Sequence, residues 1–295
     1  MKPAGSDSRT VIELIDAGAK QLTHAGVAFG HGTANAFDEA VWLVLWQLGL
    51  PLYELDAVRD KPVTSADQTK IAALFAARIN TRKPAAYLTH EAWLMGVPFY
   101  VDERSIVPRS FIGELLANGA IDPWLSEHTR KMLDLCTGNG SLAVLAALAW
   151  PEVSVLGTDV SADALAVARI NVDKHALTDR ITLLQSDGLH SVRGPYDLIL
   201  CNPPYVNTHS MGTLPAEYQA EPALALAGGA DGMDFIRALL RDAPAHMSEN
   251  AVLVLEIGNE RAHFETAFPQ LEVVWLETSA GEDHVLLVTR DALIS

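Results

Sequence analysis

The residues with the clearest chemical meaning are Asn-Pro-Pro-Tyr at positions 202 to 205, directly after the apolar run 196–201. Each proline fixes φ and lacks a backbone donor, so the loop is stiff and its acceptors point in set directions. The Asn202 side chain and the backbone carbonyls can accept hydrogen bonds, and the Tyr205 ring can stack on a flat group. The loop therefore predicts a site that holds a planar NH2 group and presents its weakly nucleophilic nitrogen to an electrophile.

A candidate site for the electrophile lies upstream, where the apolar run 131–136 leads into Thr137-Gly138-Asn139-Gly140. This pattern predicts a strand, a glycine turn and a helix whose first amides face a ligand. Asp159 lies 159 − 140 = 19 residues beyond Gly140, where an acidic side chain can bind ribose hydroxyls. Only two of the three glycines of the dinucleotide fingerprint are present, so we expect an adenosine-containing ligand without a pyrophosphate. A plain β-α turn with a surface aspartate is the alternative.

The elements that position these loops follow from the alternation of apolar segments after Arg130. Helices are expected between most of the strands, which predicts an α/β, doubly wound sheet with an antiparallel last strand. The strands are expected near 131–136, 153–158, 181–185, 196–201, 250–257, 270–276 and 283–290. Such sheets bind ligands outside the carboxyl ends of their strands, where the glycine turn, Asp159, Asp187 and Asn202 all fall. Asp187 can bind an adenine amino group there, or serve as an ordinary turn residue.

The first part of the chain has helical rather than strand spacing. Three helices are predicted by apolar residues on one face, namely Val11, Ile15, Ala19 and Leu22, then Phe37, Val41, Val44 and Leu48, then Ile71, Phe75 and Ile79. We expect Ser65 or Asp67 to cap the third helix, and Trp42 and Trp46 to lie in the core. Short segments between Pro84 and Pro108 predict a β-hairpin. The predicted organisation is a small helical substrate-recognition domain over 1–90, a β-hairpin connector over 91–109 and a catalytic domain over 110–295.

Composition and charge exclude several classes of protein. The 295 residues are 49% hydrophobic, which suits one large domain and a small one. No apolar run could cross a bilayer, and Asp7, Glu13 and Asp16 are unlike a secretory leader, so we expect a cytoplasmic protein. The net charge of −16 arises entirely in residues 91–295, where twelve basic and twenty-eight acidic residues give 12 − 28 = −16. This field favours a basic protein partner over nucleic acid, although it can also serve solubility alone.

The cysteines indicate neither a disulfide framework nor a metal site. The chain has two cysteines, Cys136 and Cys201, each at the end of a predicted strand. No pair of histidines or cysteines has metal-ligand spacing. We therefore interpret both as reduced, buried, apolar residues that lie fairly near each other, and expect no bound metal.

These motifs resemble the S-adenosylmethionine-dependent methyltransferases with a seven-stranded Rossmann-like sheet and, within them, the HemK/PrmB family of protein-glutamine methyltransferases. The resemblance covers nearly the whole chain and rests on 134–140, Asn202 to Tyr205, Val107-Pro108-Arg109 and the helical N-terminal segment. Segments 84–88, 99–104 and 107–110, followed by Gly113-Glu114, are similar to the branch that methylates a glutamine of the third large-subunit ribosomal protein. The release-factor branch tends to continue Pro-Arg with Pro-x-Thr-Glu, which is absent here. Phe111 replaces an expected proline, which puts the local loop shape in question.

The resemblance implies a role for each motif residue. The cofactor S-adenosyl-L-methionine would be bound by Cys136, Thr137, Gly138, Asn139 and Gly140 around its methionine part, by Asp159 at the ribose, by Asp187 and Gly188 at the adenine, and by Asn202. Asn202 and Pro203 would accept the two N–H bonds of a glutamine amide and aim its nitrogen at the methyl group for a direct in-line displacement. Pro204 would stiffen the loop, and Tyr205 would stack on the amide. No dedicated general base is evident.

Other functions share some of these features. An adenine amino methyltransferase acting on DNA or RNA often carries the same tetrapeptide, but the charge and the lack of a basic patch or large insertion favour a protein substrate. Release-factor glutamine methylation requires identical chemistry. A non-catalytic cofactor-binding adaptor would be indicated by loss of Asn202 or of the glycine turn, and both are present. The sequence thus predicts a methyltransferase with a basic ribosomal protein partner, no direct nucleic-acid specificity and no membrane association, and it does not indicate an oligomeric state.

Overall fold

The computed structural model describes residues 9–295, so Asp7 lies outside the described residues. The described chain divides into two compact units. The first contains the residues up to Glu91 together with Pro215–Ala220, and the second contains Ala92–Leu214 and Glu221–Ser295. Segment 215–220 groups with the helical residues although it is distant from them in sequence, which local sequence patterns do not indicate.

The first unit is built from helices. They are α1 (Val11–Ala25), α2 (Ala36–Gln47), α3 (Leu55–Val58), α4 (Ser65–Thr81), α5 (Ala85–Thr89) and α10 (Ala216–Gln219). The apolar residues that predict α1 are largely buried, and Trp42 of α2 is buried as expected, whereas Trp46 is half-buried and Phe37 is exposed. The predicted cap of α4 is wrong: Thr64 is the N-cap, and its hydroxyl accepts a hydrogen bond from the Asp67 amide. A threonine hydroxyl at this position reaches the third amide of the helix, so Ser65 already has helical backbone.

A buried cluster of charges joins three helices of this unit. Arg78 on α4 is 1% exposed. Its guanidinium donates to Glu39 on α2 at 2.8 Å, to Glu217 on α10 at 3.1 Å and to the Ala28 carbonyl at 2.7 Å. Burial raises the pKa of Glu39, and the charge of Arg78 opposes that rise. Because a desolvated carboxylate is costly without a partner, Arg78 allows Glu39 to be buried, and it shares this role at Glu217 with Arg82, whose guanidinium donates to Glu217 at 3.3 Å.

The Arg78 cluster yields a stability prediction. Arg78→Met is expected to reduce the free energy of unfolding by about 3 to 5 kcal/mol, because it removes the guanidinium that pairs with Glu39 and leaves Glu217 with Arg82 as its remaining cation. Arg59→Met is the matched control, since the Arg59–Asp56 pair is exposed and contributes little. Urea unfolding followed by circular dichroism measures both variants. Equal losses in the two would contradict the role of Arg78.

The second unit contains a hairpin and a seven-stranded sheet. The hairpin pairs β1 (Ala92–Leu94) with β2 (Val97–Phe99). The sheet strands are β3 (Lys131–Leu135), β4 (Ser154–Asp159), β5 (Ile181–Gln185), β6 (Tyr196–Cys201), β7 (Met247–Glu256), β8 (Val274–Thr278) and β9 (Gly281–Thr289). Their spatial order is β5-β4-β3-β6-β7-β9-β8, and β9 runs antiparallel to both of its neighbours. The predicted strands, hairpin and antiparallel last strand are confirmed.

Helices cover both faces of the sheet. The helices of this unit are α6 (Phe111–Ala117), α7 (Ser141–Ala149), α8 (Ala162–Lys174), α9 (Thr208–Met211), α11 (Asp234–Asp242), α12 (Arg261–Ala267) and α13 (Arg290–Ile294), and all but the four-residue α9, which has no buried residue, pack on the sheet. Successive residues of a strand point to opposite faces, so Met132 packs in the core that includes residues of α6 and α7, and Leu133 in the core that includes residues of α11 and α12. Within residues 9–295, no helix is long and apolar enough to cross a membrane.

The strand order creates a crevice at the centre of the sheet. After β3 the chain builds β4 and β5 on one side, and it then returns to place β6 on the other side of β3. The loops that follow β3 and β6 therefore diverge at the carboxyl edge and leave a space between them, which is where sheets of this kind bind ligands. These are the two loops in which the glycine turn and Asn202 lie.

Candidate active site

A cavity of about 350 Å³ occupies the carboxyl edge of the sheet. The predicted site residues in its wall are Cys136, Gly138, Asp159, Asp187, Gly188, Asn202 and Pro204. The structure places the other predicted site residues behind or beside this wall, namely Thr137, Asn139, Gly140, Pro203 and Tyr205. The glycine turn and the loop after β6 thus border one space, although they are far apart in the sequence.

The glycine turn is held in shape by hydrogen bonds to one buried carboxyl group. Asp134 on β3 is fully buried, and its Oδ2 accepts hydrogen bonds from the Thr137 hydroxyl and from the Ala143 amide at 2.9 Å. Gly138 and Gly140 have φ of 55° and 81°, which favour glycine. A Cβ on Gly140 would lie 3.1 Å from that of Ala168 on α8, so glycine also permits close packing of that helix. Asp134 therefore ties β3, the turn and the start of α7 together.

Asp159 is held rigidly at the end of β4. Its Oδ2 accepts a hydrogen bond from the Gly138 amide, and its Oδ1 accepts one from the Ser161 amide, both at 2.9 Å. Burial raises the pKa of this carboxyl. A carboxylate has about four acceptor positions, so these amides leave Asp159 able to accept a further hydrogen bond from a hydroxyl of a ligand. The Thr158 hydroxyl, in the same wall, is buried and has no hydrogen-bond partner among the described residues.

These groups fit an adenosine-containing cofactor. The anchored carboxylate of Asp159 and the unpartnered hydroxyl of Thr158 supply hydrogen bonds for a polar ligand, while Leu135, Ile106 and Phe235 give the wall an apolar part suited to a flat base. Gly138 also leaves open space beside its backbone, because a Cβ built on it would have no heavy atom of residues 9–295 within 4 Å. Polar groups suited to a ribose and apolar side chains suited to a base therefore line the same cavity, in agreement with the adenosine-containing ligand expected from the sequence.

The loop after β6 combines a fixed tyrosine with an uncommitted asparagine. Tyr205 donates its hydroxyl to Glu256 at 3.3 Å. The Asn202 side chain lies in the cavity wall and makes no hydrogen bond with any residue of 9–295. In the same part of the chain, the Pro203 carbonyl also lacks a donor. The loop thus has two hydrogen-bond acceptors, the Asn202 side chain in the cavity wall and the Pro203 carbonyl beside it.

Several wall residues were missed by the sequence analysis. They are Arg104, Ser105 and Ile106 after the hairpin, Pro222, Leu224 and Ala225, and Phe235 at the start of α11. Arg109 secures this part of the wall, because its guanidinium donates to both oxygens of Glu221 at 2.6 Å, and Glu221 also accepts the Val107 amide. The segment Val107-Pro108-Arg109 thereby connects the hairpin loop to residues 222–225.

A second long-range link was also missed. Asn171 on α8 is fully buried; its Oδ1 accepts the Tyr100 amide at 2.7 Å, and its Nδ2 donates to the carbonyls of Tyr100 and Asn139 at 2.9 Å. It thus joins the hairpin loop to the glycine turn. A signal exists in the sequence, because Asn171 lies on the helix face that carries Val167, Ala168 and Val172.

Both cysteines are free thiols, and Cys201 is buried as predicted, whereas Cys136 is half-buried because it lines the cavity. Burial raises the pKa of Cys201 well above its usual value, and the adjacent Cys136 and Asp134 raise it further. This confirms that the two residues are close to each other. In the described part of the chain, no group of three or more histidine, cysteine, aspartate or glutamate side chains is arranged to hold a metal ion.

Buried carboxyls make the stability of the protein depend on pH. Burial raises the pKa of Asp134 from 3.8 to about 7 and that of Glu256 from 4.5 to about 7. Protonation of these two carboxyls therefore stabilises the folded chain. The stabilisation is complete at pH values below the pKa of each group in the unfolded chain, and it is lost as the pH rises through the folded pKa of about 7. Asp134→Asn is expected to flatten this decline in melting temperature, because the variant has no titrating group there. Melting temperatures measured across the range from pH 3.8 to about pH 7 test this expectation, with Asp163→Asn, at an exposed position, as the control. If the melting temperature of Asp134→Asn falls with pH as steeply as that of the wild type, the role of Asp134 is contradicted.

Comparisons with known proteins agree with this geometry. Residues 118–218 match the family described as Methyltransferase small domain. The ribosomal protein uL3 glutamine methyltransferase of Bordetella pertussis is 52% identical over 288 residues, which are 97% of this chain and 96% of the relative. The protein of the same name in Neisseria gonorrhoeae is 45% identical over 293 residues, 99% of this chain and 98% of the relative.

Similarity in three dimensions extends to more distant proteins. The hMettl16 catalytic domain, solved in complex with MAT2A 3'UTR hairpin 1, superposes with a TM-score of 0.51 at 14% identity. The superposition covers 76% of this chain and 79% of the other. At this level of identity, the likeness shows a shared fold.

Proposed function

Because the chain belongs to the ribosomal protein uL3 glutamine methyltransferases, we propose that it methylates the side-chain amide nitrogen of a glutamine in uL3, with S-adenosyl-L-methionine as donor. The observation that carries the proposal is the Asn202 side chain in the wall of the cavity, followed by the Pro203 carbonyl, neither of which has a hydrogen-bond partner within residues 9–295. Their two acceptor oxygens match the two N–H donors of a primary carboxamide. Family membership selects glutamine from the planar NH2 groups that such a loop can hold.

The cavity wall provides the groups that hold the cofactor. S-adenosyl-L-methionine, when bound, would supply a methyl group bonded to a positively charged sulfur, so that a nitrogen nucleophile can form a bond to the methyl carbon while the carbon–sulfur bond breaks and a neutral thioether leaves. Asp159 accepts hydrogen bonds from the ribose hydroxyls with the lone pairs that Gly138 and Ser161 leave available. The turn from Cys136 to Gly140 surrounds the methionine part, and Asp187 with Gly188 borders the adenine.

The loop after β6 activates and orients the acceptor. An amide nitrogen is a poor nucleophile because its lone pair is delocalised into the carbonyl. The Asn202 side-chain oxygen and the Pro203 carbonyl accept hydrogen bonds from its two N–H groups. These hydrogen bonds strengthen as positive charge develops on the nitrogen during transfer. Tyr205 stacks on the amide plane and Pro204 limits the motion of the loop, so the nitrogen is held in one direction.

The charge of the second unit suits the basic protein that we propose as substrate. Ala92–Leu214 and Glu221–Ser295 together contain 12 basic and 26 acidic residues, a net charge of 12 − 26 = −14. A field of this sign accelerates the encounter with a basic partner and repels nucleic acid. The charge thus supports uL3 as a protein substrate over an adenine in DNA or RNA.

Asn202 provides a direct mutational test. Asn202→Ala is expected to retain binding of S-adenosyl-L-methionine in calorimetry, because the glycine turn, Asp159 and the residues at the adenine remain in place. Its kcat is expected to fall by at least about 10²- to 10³-fold, because one oriented acceptor of the transition state is lost. Asn250→Ala, at an exposed position, is the control and should retain wild-type turnover. Methyl transfer at the wild-type rate by Asn202→Ala would refute the role of this residue.

The substrate is tested by offering several acceptors with a labelled methyl donor. We expect label in undermodified uL3, and mass spectrometry of the product should place the methyl group on a glutamine. Release factors, DNA and RNA should remain unlabelled under the same conditions. Label in release factors alone would assign the protein to the other glutamine branch, and label in nucleic acid alone would overturn the protein-substrate proposal.

A further inference from the structure

Glu256, the last residue of β7, accepts a hydrogen bond from the Tyr205 hydroxyl. It is 1% exposed, and its Oε1 accepts that hydroxyl at 3.3 Å. Its Oε2 accepts the Ser110 hydroxyl at 2.6 Å and the Ile112 amide at 3.4 Å. Because the start of α6 fixes one carboxyl oxygen, the other oxygen offers Tyr205 an acceptor in a fixed position.

Gly258 holds the same tyrosine from a second direction. A Cβ built on Gly258 would lie 2.5 Å from Cε2 and 2.9 Å from Cζ of Tyr205. Gly258 also has φ of 54°, which favours glycine. The ring therefore lies directly against the bare backbone at Gly258, two residues after the carboxyl that binds its hydroxyl.

The backbone of Tyr205 is confined in a similar way. A Cβ on Gly228 would lie 2.7 Å from the Tyr205 Cα, and a Cβ on Gly232 would lie 2.3 Å from its carbonyl oxygen. Main chain, ring and hydroxyl are thus each in contact with a fixed neighbour. Confinement of all three parts leaves the ring a single orientation relative to Asn202, three residues earlier in the loop.

We propose that Glu256 and Gly258 form a seat for Tyr205, which makes Glu256 a positioning residue for methyl transfer. This inference rests on the proposed function, in which the Tyr205 ring stacks on the acceptor amide. Stacking orients an amide only if the ring itself is fixed, and the seat fixes it. Ser110 directly follows Val107-Pro108-Arg109, so this motif reaches the loop after β6 through Glu256.

A double-mutant cycle in kcat separates positioning from general stability. Tyr205→Phe and Glu256→Gln are each expected to lower kcat by roughly ten-fold, the scale of one lost or misdirected hydrogen bond, with little change in cofactor affinity. Because both changes affect one bond, the double variant should lose no more than the more impaired single variant. Glu249→Gln, an exposed position on the same strand, is the matched control and should keep wild-type kcat.

A measurement without substrate tests the seat independently. With 3-fluorotyrosine in all six tyrosine positions, the ¹⁹F resonance of Tyr205 is identified by its loss in Tyr205→Phe. It should shift in Glu256→Gln and in Gly258→Ala, which displaces the ring without altering the carboxyl, and it should stay in place in Glu249→Gln. An unshifted resonance, or losses in kcat that multiply in the double variant, would overturn the proposal. If the wild type methylates no acceptor, the proposed function fails, and the fluorine spectra still decide whether the seat exists.

Discussion

A buried carboxylate must collect hydrogen-bond donors to offset the loss of water, and the carboxylates around this cavity collect them from loops. Loops at the edge of a sheet lack the ladder bonds that fix the strands, so they need another source of order. Four carboxylates supply this order. Asp134 binds the glycine turn, and Asp159 links that turn to α8. Glu221 binds the segment before α6, and Glu256 links α6 to Tyr205. The shape of the cavity depends on these four acceptors.

The acidic residues of the second unit include two groups with different roles. The four carboxylates that hold the loops are buried or half-buried and have specific partners, so they contribute to geometry. The many exposed acidic residues give the second unit its negative field, which acts at a distance on a charged partner. One residue type therefore serves both the chemistry at the sheet edge and the approach of a basic protein.

Local patterns in the sequence were sufficient for the framework of the site. The alternation of apolar segments predicts the strands, and the residues that end them, such as Asp159 and Asn202, lie at the edge where parallel strands end. Long-range pairs could not be predicted in this way. Ser110 and Glu256 are separated by 146 positions, and Arg109 and Glu221 by 112, so no local spacing reveals that they are partners. The error at the cap of α4 has a different cause, since Thr64, Ser65 and Asp67 are all suitable caps and only the backbone distinguishes them.

Asn171 has a thermodynamic consequence for ligand binding. Its three hydrogen bonds to Tyr100 and Asn139 lie within the protein itself and need no ligand to form them. A loop that is already ordered has little conformational entropy left to lose when a ligand binds. The contacts made by the ligand are then offset less by the cost of ordering, and affinity is gained without additional contact area. A single buried amide can thus strengthen binding to a molecule that it does not touch.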